Sequence, residues 1–282
     1  MEKLLKSFLS VLILFGCSNP IALSSEERVK LAKEKWSFIE KQTDPEIINT
    51  QGKPEIMNLL EEIIHLDPKH CDAIRELSIA YLKRGMPNQW KPIYDRAVEC
   101  DAVRWQPWRG YLYLYFYRDY KNAIADFNAS DTLTPNHIDS PQGHSVDYWR
   151  GHAYLGAKDY ENSIRYYQKH IAYVTQEWGE DWVEPDAFLN LAIAYYESNQ
   201  FDKMPPELDR ALKHYQNKSA DTKYYYALYE QKQGNNKKAL EWVKAGIEDF
   251  YLGNSKKRGY NEEIKQLYVE MLYELEDELK AG

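Results

Sequence analysis

The sequence predicts an all-α solenoid in which about six helix pairs stack on one another and a last helix caps the array. A unit of about 34 residues recurs along the 282-residue chain, and a fixed period of this size is typical of stacked helical units. Apolar residues inside each unit recur at the spacing of amphipathic helices. The content of 44% hydrophobic and 28% charged residues is ordinary for a folded protein. Such arrays present surfaces rather than deep clefts, so binding is the expected kind of function.

Charge and aromatic content restrict the partners. The formal net charge is −8, which repels phosphate backbones and removes the counterion release that drives nucleic-acid binding. Nucleic acid is therefore not an expected partner. The chain also has 24 Tyr and 8 Trp, whose large rings with polar tips suit helix packing and ligand surfaces alike. We expect some of these rings to be exposed.

The first 16 residues have the layout of a secretory signal peptide. Lys3 and Lys6 precede the apolar stretch 7–15, which is too short to cross a bilayer because a spanning helix needs about 20 residues. The tetrad from Leu14 to Cys17 resembles the lipobox of bacterial lipoproteins. That resemblance implies cleavage after residue 16 and acylation of Cys17. An ordinary signal peptide followed by an incidental cysteine is the alternative.

The acyl chains would hold the mature protein on a membrane, since each buried methylene adds about 0.8 kcal/mol. Ser18, rather than an aspartate, follows Cys17, and by resemblance to lipoprotein sorting this implies the outer membrane. We therefore expect a lipidated N-terminus and tether over residues 17–25. The folded body is expected on the periplasmic face, with display on the cell surface as the alternative.

The repeated unit is clearest around residues 151–170. Gly151 and Tyr154 occupy a small and an aromatic position of a first helix, and Tyr160, Ser163 and Tyr167 occupy corresponding positions of a second helix. This spacing resembles the tetratricopeptide repeat, in which two antiparallel helices, A and B, form each unit. The resemblance implies a right-handed superhelix and a protein-binding role.

The other units follow the same register. Counted from the small residue early in each B helix, successive copies step by about 34, 33, 40, 41 and 35 residues. Residues 25–43 are expected to form the first helix, and the repeat array is expected over residues 26–256. An apolar stripe that includes Ile264, Leu267 and Met271 predicts a capping helix over 257–280, within a C-terminal region 257–282.

The resemblance also implies that the A helices line a concave groove. The groove is expected to bind a protein or peptide segment of unknown identity. Large rings predominate among the residues projected onto that face: Trp105, Trp108, Tyr115, Phe116, Tyr148, His152, Tyr196 and Tyr224. Helix packing alone is the alternative explanation for each ring. The four rings at Trp105, Trp108, Tyr115 and Phe116 exceed what one neighbouring helix can cover, which indicates an interaction site.

Two of the register steps are long because of insertions, at residues 132–145 and 173–186. Loops of this length in a tight array are often functional. His137, Asp139 and His144 in the first insertion have side chains that could ligate a metal. We expect them to be solvated instead, and we expect neither a metal nor a cofactor. The second insertion combines acidic residues with Trp178 and Trp182, or is a simple extension of a helix.

Cys71 and Cys100 are the thiols that remain if Cys17 is acylated. In the assigned register Cys71 begins an A helix and Cys100 ends the B helix of the same unit, and antiparallel helices bring those ends together. A disulfide would be favoured in an oxidising periplasm. Two buried, reduced cysteines are the alternative.

These features together favour a membrane-anchored scaffold of the bacterial cell envelope that binds a protein segment. A glycan-binding lipoprotein is the alternative, since Trp and Tyr rings also stack on sugars. Enzyme activity is not expected, because the chain has no zinc-protease motif, nucleophile elbow, phosphate-binding glycine loop or paired CxxC. A glycan hydrolase would need two paired carboxylates, and no such pair can be singled out.

Overall fold

The computed structural model describes residues 23–41 and 51–281 of the chain. These residues form thirteen α-helices and three short 3-10 turns, and none of them lies in a strand. The helices are α1 (Ser25–Lys41), α2 (Pro54–Leu66), α3 (Cys71–Lys83), α4 (Pro87–Cys100), α5 (Ala102–Tyr117), α6 (Tyr120–Leu133), α7 (Val146–Gly156), α8 (Tyr160–Trp178), α9 (Pro185–Glu197), α10 (Met204–His214), α11 (Ala220–Lys232), α12 (Asn236–Tyr251) and α13 (Val269–Ala281). The chain divides into two compact units, one that ends at His70 and one that begins at Cys71.

The first unit is one helix pair. α1 packs against α2, and Ala32 and Ile63 are fully buried. The guanidinium of Arg28 donates a hydrogen bond to the carbonyl of His65 at 2.6 Å. The predicted first helix is therefore present as α1. Residues 42–50 lie outside the described part of the chain.

The second unit consists of five successive helix pairs, and α13 packs on the last of them. The pairs are α3/α4, α5/α6, α7/α8, α9/α10 and α11/α12, and the first helix of each is its A helix. A residue with a left-handed backbone lies between the two helices of every pair: Gly85, Arg118, Lys158, Asn199 and Gly234. These turn residues are 33, 40, 41 and 35 positions apart, which reproduces the last four predicted register steps. The prediction of an all-α solenoid of helix pairs is confirmed.

Polar side chains fix where several helices begin. A side-chain oxygen accepts a hydrogen bond from a backbone N–H in the first turn at Asp101, Asp119, Ser145, Asp159 and Ser219. Each cap satisfies a backbone donor that has no partner within its own helix. The caps therefore fix the first residues of both A and B helices along the repeats.

Aromatic rings of the B helices pack directly against glycines of the A helices. A β-carbon placed on Gly110 would lie 2.8 Å from the ring of Phe127, and one placed on Gly151 would lie 2.8 Å from the ring of Tyr167. Both rings are fully buried. The same contact thus recurs in two successive units, and it holds the helices of each pair close together.

The capping helix is shorter than the sequence predicts. Residues 257–268 are not helical, and α13 begins at Val269. Gly253, with φ of +81°, ends α12, and the polar run that follows has no helical stripe of apolar residues. The cations of this run instead contact acidic residues on other helices, as described below. The second insertion also differs from a pure loop, because α8 extends into it as far as Trp178.

We predict that Gly151→Ala destabilises the protein. The added methyl group cannot fit without moving the buried Tyr167 ring, and such overpacking costs about 1–3 kcal/mol, partly offset by the better helix propensity of Ala, about 1 kcal/mol. A net loss of stability is expected, read as a lower thermal midpoint by circular dichroism. Gly259→Ala is the control, because that glycine has open space around it. Equal midpoints for the two variants would contradict the packing argument.

Candidate protein-binding groove

The residues between α12 and α13 lie against the A helices of the second unit. We call residues 254–268 the groove segment, and the faces of α5, α9 and α11 that it contacts the groove. The segment begins where the backbone N–H of Ala220, at the start of α11, donates to the carbonyl of Asn254 at 2.9 Å. Near its other end, Leu267 is buried among residues of α11, α12 and α13. Both ends of the segment are therefore held by the last repeats.

Lys256 joins the N-terminal ends of two A helices. Its ammonium lies 3.2 Å from a carboxylate oxygen of Asp186 in α9, and its backbone N–H donates to the carboxylate of Asp221 in α11 at 2.9 Å. Burial opposes the charge of Lys256, but the carboxylates around it outweigh burial and raise its pKa. Burial raises the pKa of Asp221 to about 6, against the lowering effect of Lys256. The lysine thus lies against one buried carboxylate, Asp221, and one partly buried carboxylate, Asp186.

Arg258 and Asn261 hold the segment on α5. The guanidinium of Arg258 lies over the ring of Tyr115, and the side-chain amide of Asn261 donates to the carbonyl of Tyr115 at 2.5 Å. Glu263, within the segment, forms an ion pair with Arg258 at 3.3 Å. Burial lowers the pKa of Arg258 to about 10, and Glu263 limits that decrease. The C-terminal end of α5 therefore contacts a cation, Arg258, and accepts a hydrogen bond from the side-chain amide of Asn261.

The second half of the segment returns to α9. Lys265 forms an ion pair with Glu197 at the end of that helix. Arg118, in the turn after α5, donates to the carbonyl of Glu262 at 3.2 Å. The segment is therefore held by its own cationic side chains and by its own backbone carbonyls. Any extended polypeptide of suitable charge could present both kinds of group.

Two of the predicted groove residues lie under this segment. Tyr115 contacts Arg258 and Asn261, and Phe116 packs against Tyr260 with ring centroids 5.8 Å apart. Trp105 is buried rather than open, because the guanidinium groups of Arg75 and Arg104 lie over its ring, at 5.3 and 4.4 Å from the centroid. Trp108 is half-buried and meets the edge of Tyr111.

Of the four remaining predicted groove residues, two are buried in helix packing and two line a cavity. Tyr148 and His152 are buried with ring centroids 4.4 Å apart, so they belong to the packing of α7. Tyr196 and Tyr224 are half-buried and line a cavity of about 200 Å³ together with Lys265. The structure thus brings Tyr115, Phe116, Tyr196 and Tyr224 beside the groove segment, whereas Tyr148, His152 and Trp105 are in the interior.

Sequence reasoning did not identify the charged partners of the groove. Arg258 and Lys265 lie in the predicted capping helix and Lys256 at the end of the predicted repeat array, and Asp186 and Glu197 were not singled out. One signal was present: Gly253 and Gly259 flank the basic run 256–258. Glycines on both sides of a cationic run indicate an extended connection rather than a helix.

The two cysteines and the residues considered for metal binding lie outside the groove. Cys71 and Cys100 are joined by a disulfide, with their α-carbons 5.5 Å apart. Asp139 accepts a hydrogen bond from Thr134 at 2.6 Å, and His144 contacts Glu184 at 2.6 Å. Over residues 23–41 and 51–281, no group of three or more His, Cys, Asp and Glu side chains is arranged to hold a metal ion.

The predicted signal peptide and Cys17 lie outside the described residues. None of the helices described here is long and apolar enough to cross a membrane. Lipidation and membrane anchoring therefore stay predictions.

Comparison with known proteins supports the repeat assignment. A sequence model of the tetratricopeptide repeat matches residues 148–172, which cover most of α7 and the first part of α8. No curated protein sequence matches the chain at a significant level.

Solved structures with this fold are numerous. The crystal structure of PilW, a type IV pilus biogenesis factor, is 15% identical over 86% of this chain and 96% of its own, with a TM-score of 0.58. PilF of Pseudomonas aeruginosa is 16% identical over 81% of this chain and 94% of its own, with a TM-score of 0.56. YrrB, a tetratricopeptide-repeat protein with an unusual peptide-binding site, is 16% identical over 67% of this chain and 91% of its own, with a TM-score of 0.51. At these identities the likeness shows the fold alone.

We predict that His152 makes the stability of the protein depend on pH. Burial, helped by the charge of Lys256, lowers the pKa of His152 to about 3, whereas an unfolded histidine has a pKa of about 6.5. The unfolded chain therefore binds a proton that the folded chain does not. The associated stability is complete above about pH 6.5 and falls by at most about 1.4 kcal/mol per pH unit between that value and pH 3.

The measurement is urea unfolding at pH 7, 6 and 5. His152→Gln should show a shallower decrease in the free energy of unfolding than the parent chain. The exposed His137 provides the control, and His137→Gln should keep the parent slope. Identical slopes for the parent and His152→Gln would contradict this assignment.

Proposed function

We propose that the chain is a protein-interaction scaffold of the bacterial cell envelope, which binds an extended, lysine- and arginine-bearing protein segment in the groove. In this proposal a lipid on Cys17 anchors the chain to the outer membrane, with the folded body on the periplasmic face; exposure on the cell surface is the alternative. The chain performs no chemistry on its partner.

One observation carries the proposal: the groove already holds a polypeptide segment in non-helical conformation. Residues 254–268 place Lys256 against Asp186 and Asp221, and Lys265 against Glu197. A partner with a similar distribution of cations would find the same carboxylates and the same Tyr115 ring. The groove segment therefore acts as an internal competitor that such a partner displaces.

The structural comparisons make this role reasonable without specifying a partner. The titles of two similar structures describe a pilus biogenesis factor and a protein with a peptide-binding site. Those descriptions concern those proteins. For this chain they support a binding role, whereas the charge preference comes from the contacts of its own groove.

A labelled peptide with the sequence of residues 252–268 tests the groove. In the parent chain the tethered segment competes at an effective concentration in the millimolar range, so the free peptide should bind weakly. Lys256→Ala removes the cation that compensates Asp186 and Asp221, which should loosen the tethered segment. We expect the peptide to bind Lys256→Ala about tenfold or more tightly than the parent, which corresponds to about 1.4 kcal/mol. Fluorescence anisotropy gives the dissociation constants.

Lys257→Ala is the matched control, because Lys257 is the exposed neighbour of Lys256 and contacts none of the groove carboxylates. It should bind the peptide as the parent does. Equal peptide affinities for Lys256→Ala and Lys257→Ala, with both variants folded by circular dichroism, would refute the groove proposal. The anchor is tested separately: Cys17→Ser should move the chain from the membrane fraction to the soluble fraction of cells.

A further inference from the structure

The two inserted loops meet at a pocket that is separate from the groove. Residues 134–145 of the first insertion and residues 179–184 of the second lie beside the end of α8, and together they enclose a cavity of about 430 Å³. His144 of the first loop contacts Glu184 of the second at 2.6 Å, so the loops are joined directly. A repeat without insertions would have no residues at these positions.

A chain of hydrogen bonds forms the floor of this pocket. Ser145 lies 2.9 Å from Nδ1 of His170, whose Nε2 lies 2.7 Å from Glu184, and His144 contacts the other oxygen of Glu184. The Ser145 hydroxyl also accepts a hydrogen bond from the backbone N–H of Tyr148 at 3.2 Å. Each imidazole then donates one N–H to Glu184. Both oxygens of Glu184 therefore accept a hydrogen bond from an imidazole.

The floor of the pocket thus contains the carboxylate of Glu184. Burial opposes ionisation of Glu184, but the hydrogen bonds from the two histidines outweigh burial and hold its pKa well below the usual value. None of the residues that line the cavity is Lys or Arg. The two insertions, 132–145 and 173–186, also contain no Lys or Arg, whereas the second contains five acidic residues. The carboxylate of Glu184 therefore has imidazoles, and neither Lys nor Arg, as its partners in the pocket.

Aromatic rings form the walls. Tyr173 and Trp178 meet edge to face with ring centroids 5.5 Å apart, and Trp182 completes the rim. The exposed fraction is 58% for Trp178 and 74% for Trp182, although large rings are normally covered in a folded protein. The faces of such rings attract cations, and the attraction increases where water is displaced.

We propose that this pocket binds an organic cation, whose charged head lies between Glu184 and the rings of Tyr173, Trp178 and Trp182. The shared chemistry is an alkylammonium or guanidinium group. Its source is either a small quaternary amine or an arginine side chain presented by a peptide. The inference does not depend on the groove, since none of these residues contacts the groove segment among the described contacts.

The test compares cations with neutral molecules of the same shape by isothermal titration calorimetry on the full chain. Choline is paired with 3,3-dimethylbutan-1-ol, and N-acetyl-arginine amide is paired with N-acetyl-citrulline amide. At least one cation should bind about tenfold or more tightly than its neutral counterpart. A preference for choline would assign the quaternary amine, and a preference for the arginine derivative would assign a peptide side chain.

Variants locate the binding. Trp182→Ala should weaken binding of the preferred cation by about fivefold or more, and Glu184→Gln should weaken it further. Tyr251→Ala, which removes another exposed ring far from the pocket in sequence, should leave binding unchanged. Four results would each overturn the proposal. The cation and its neutral counterpart could bind equally, or neither cation could bind. N-acetylglucosamine could bind more tightly than either cation, or Trp182→Ala could keep the parent affinity. Because Trp182 is largely exposed, its replacement leaves the fold intact.

Discussion

The contacts of Lys256 with Asp186 and Asp221, the carboxylates at the start of α9 and α11, are those on which the candidate groove depends. Asp186 and Asp221 are favoured at helix N-termini, where the helix dipole attracts negative charge, but burial penalises both. Lys256 offsets this penalty and fixes one end of the groove segment. Its position in turn brings Arg258 onto Tyr115 and allows Lys265 to reach Glu197. The groove segment thus contacts three repeats, through Lys256 on α9 and α11 and through Arg258 on α5.

The two sites of the second unit have a common origin in the repeat. The A helices supply acidic residues at their starts and ends, and the segment after α12 supplies the complementary cations. The insertions after α6 and within the α8 to α9 connection add a second, acidic and aromatic surface without disturbing the left-handed turns between paired helices. The regular helix pairs therefore position the irregular connections, and the irregular connections contain many of the candidate binding residues.

Short-range patterns explain how much of the fold could be predicted. Gly151 and Tyr167 are 16 residues apart, and the turn at Lys158 lies between them, so one repeat contains all the information that pairs its helices. The groove could not be predicted in the same way. Lys256 and Asp186 are 70 residues apart, and their pairing depends on how the repeats stack. The stripe of Ile264, Leu267 and Met271 fits a helix, but in the basic run before it Lys256 contacts carboxylates of α9 and α11 and Arg258 lies over Tyr115.

Whether residues 254–268 lie on the A helices in solution can be measured directly by cross-linking. A photoreactive benzoylphenylalanine in place of Tyr260, whose ring lies 5.8 Å from that of Phe116 and 5.6 Å from the ammonium of Lys83, would report this contact. After irradiation, mass spectrometry should find cross-links within one chain to peptides that contain Phe116 or Lys83. Cross-links to neither peptide would contradict the claim that the chain fills its own groove.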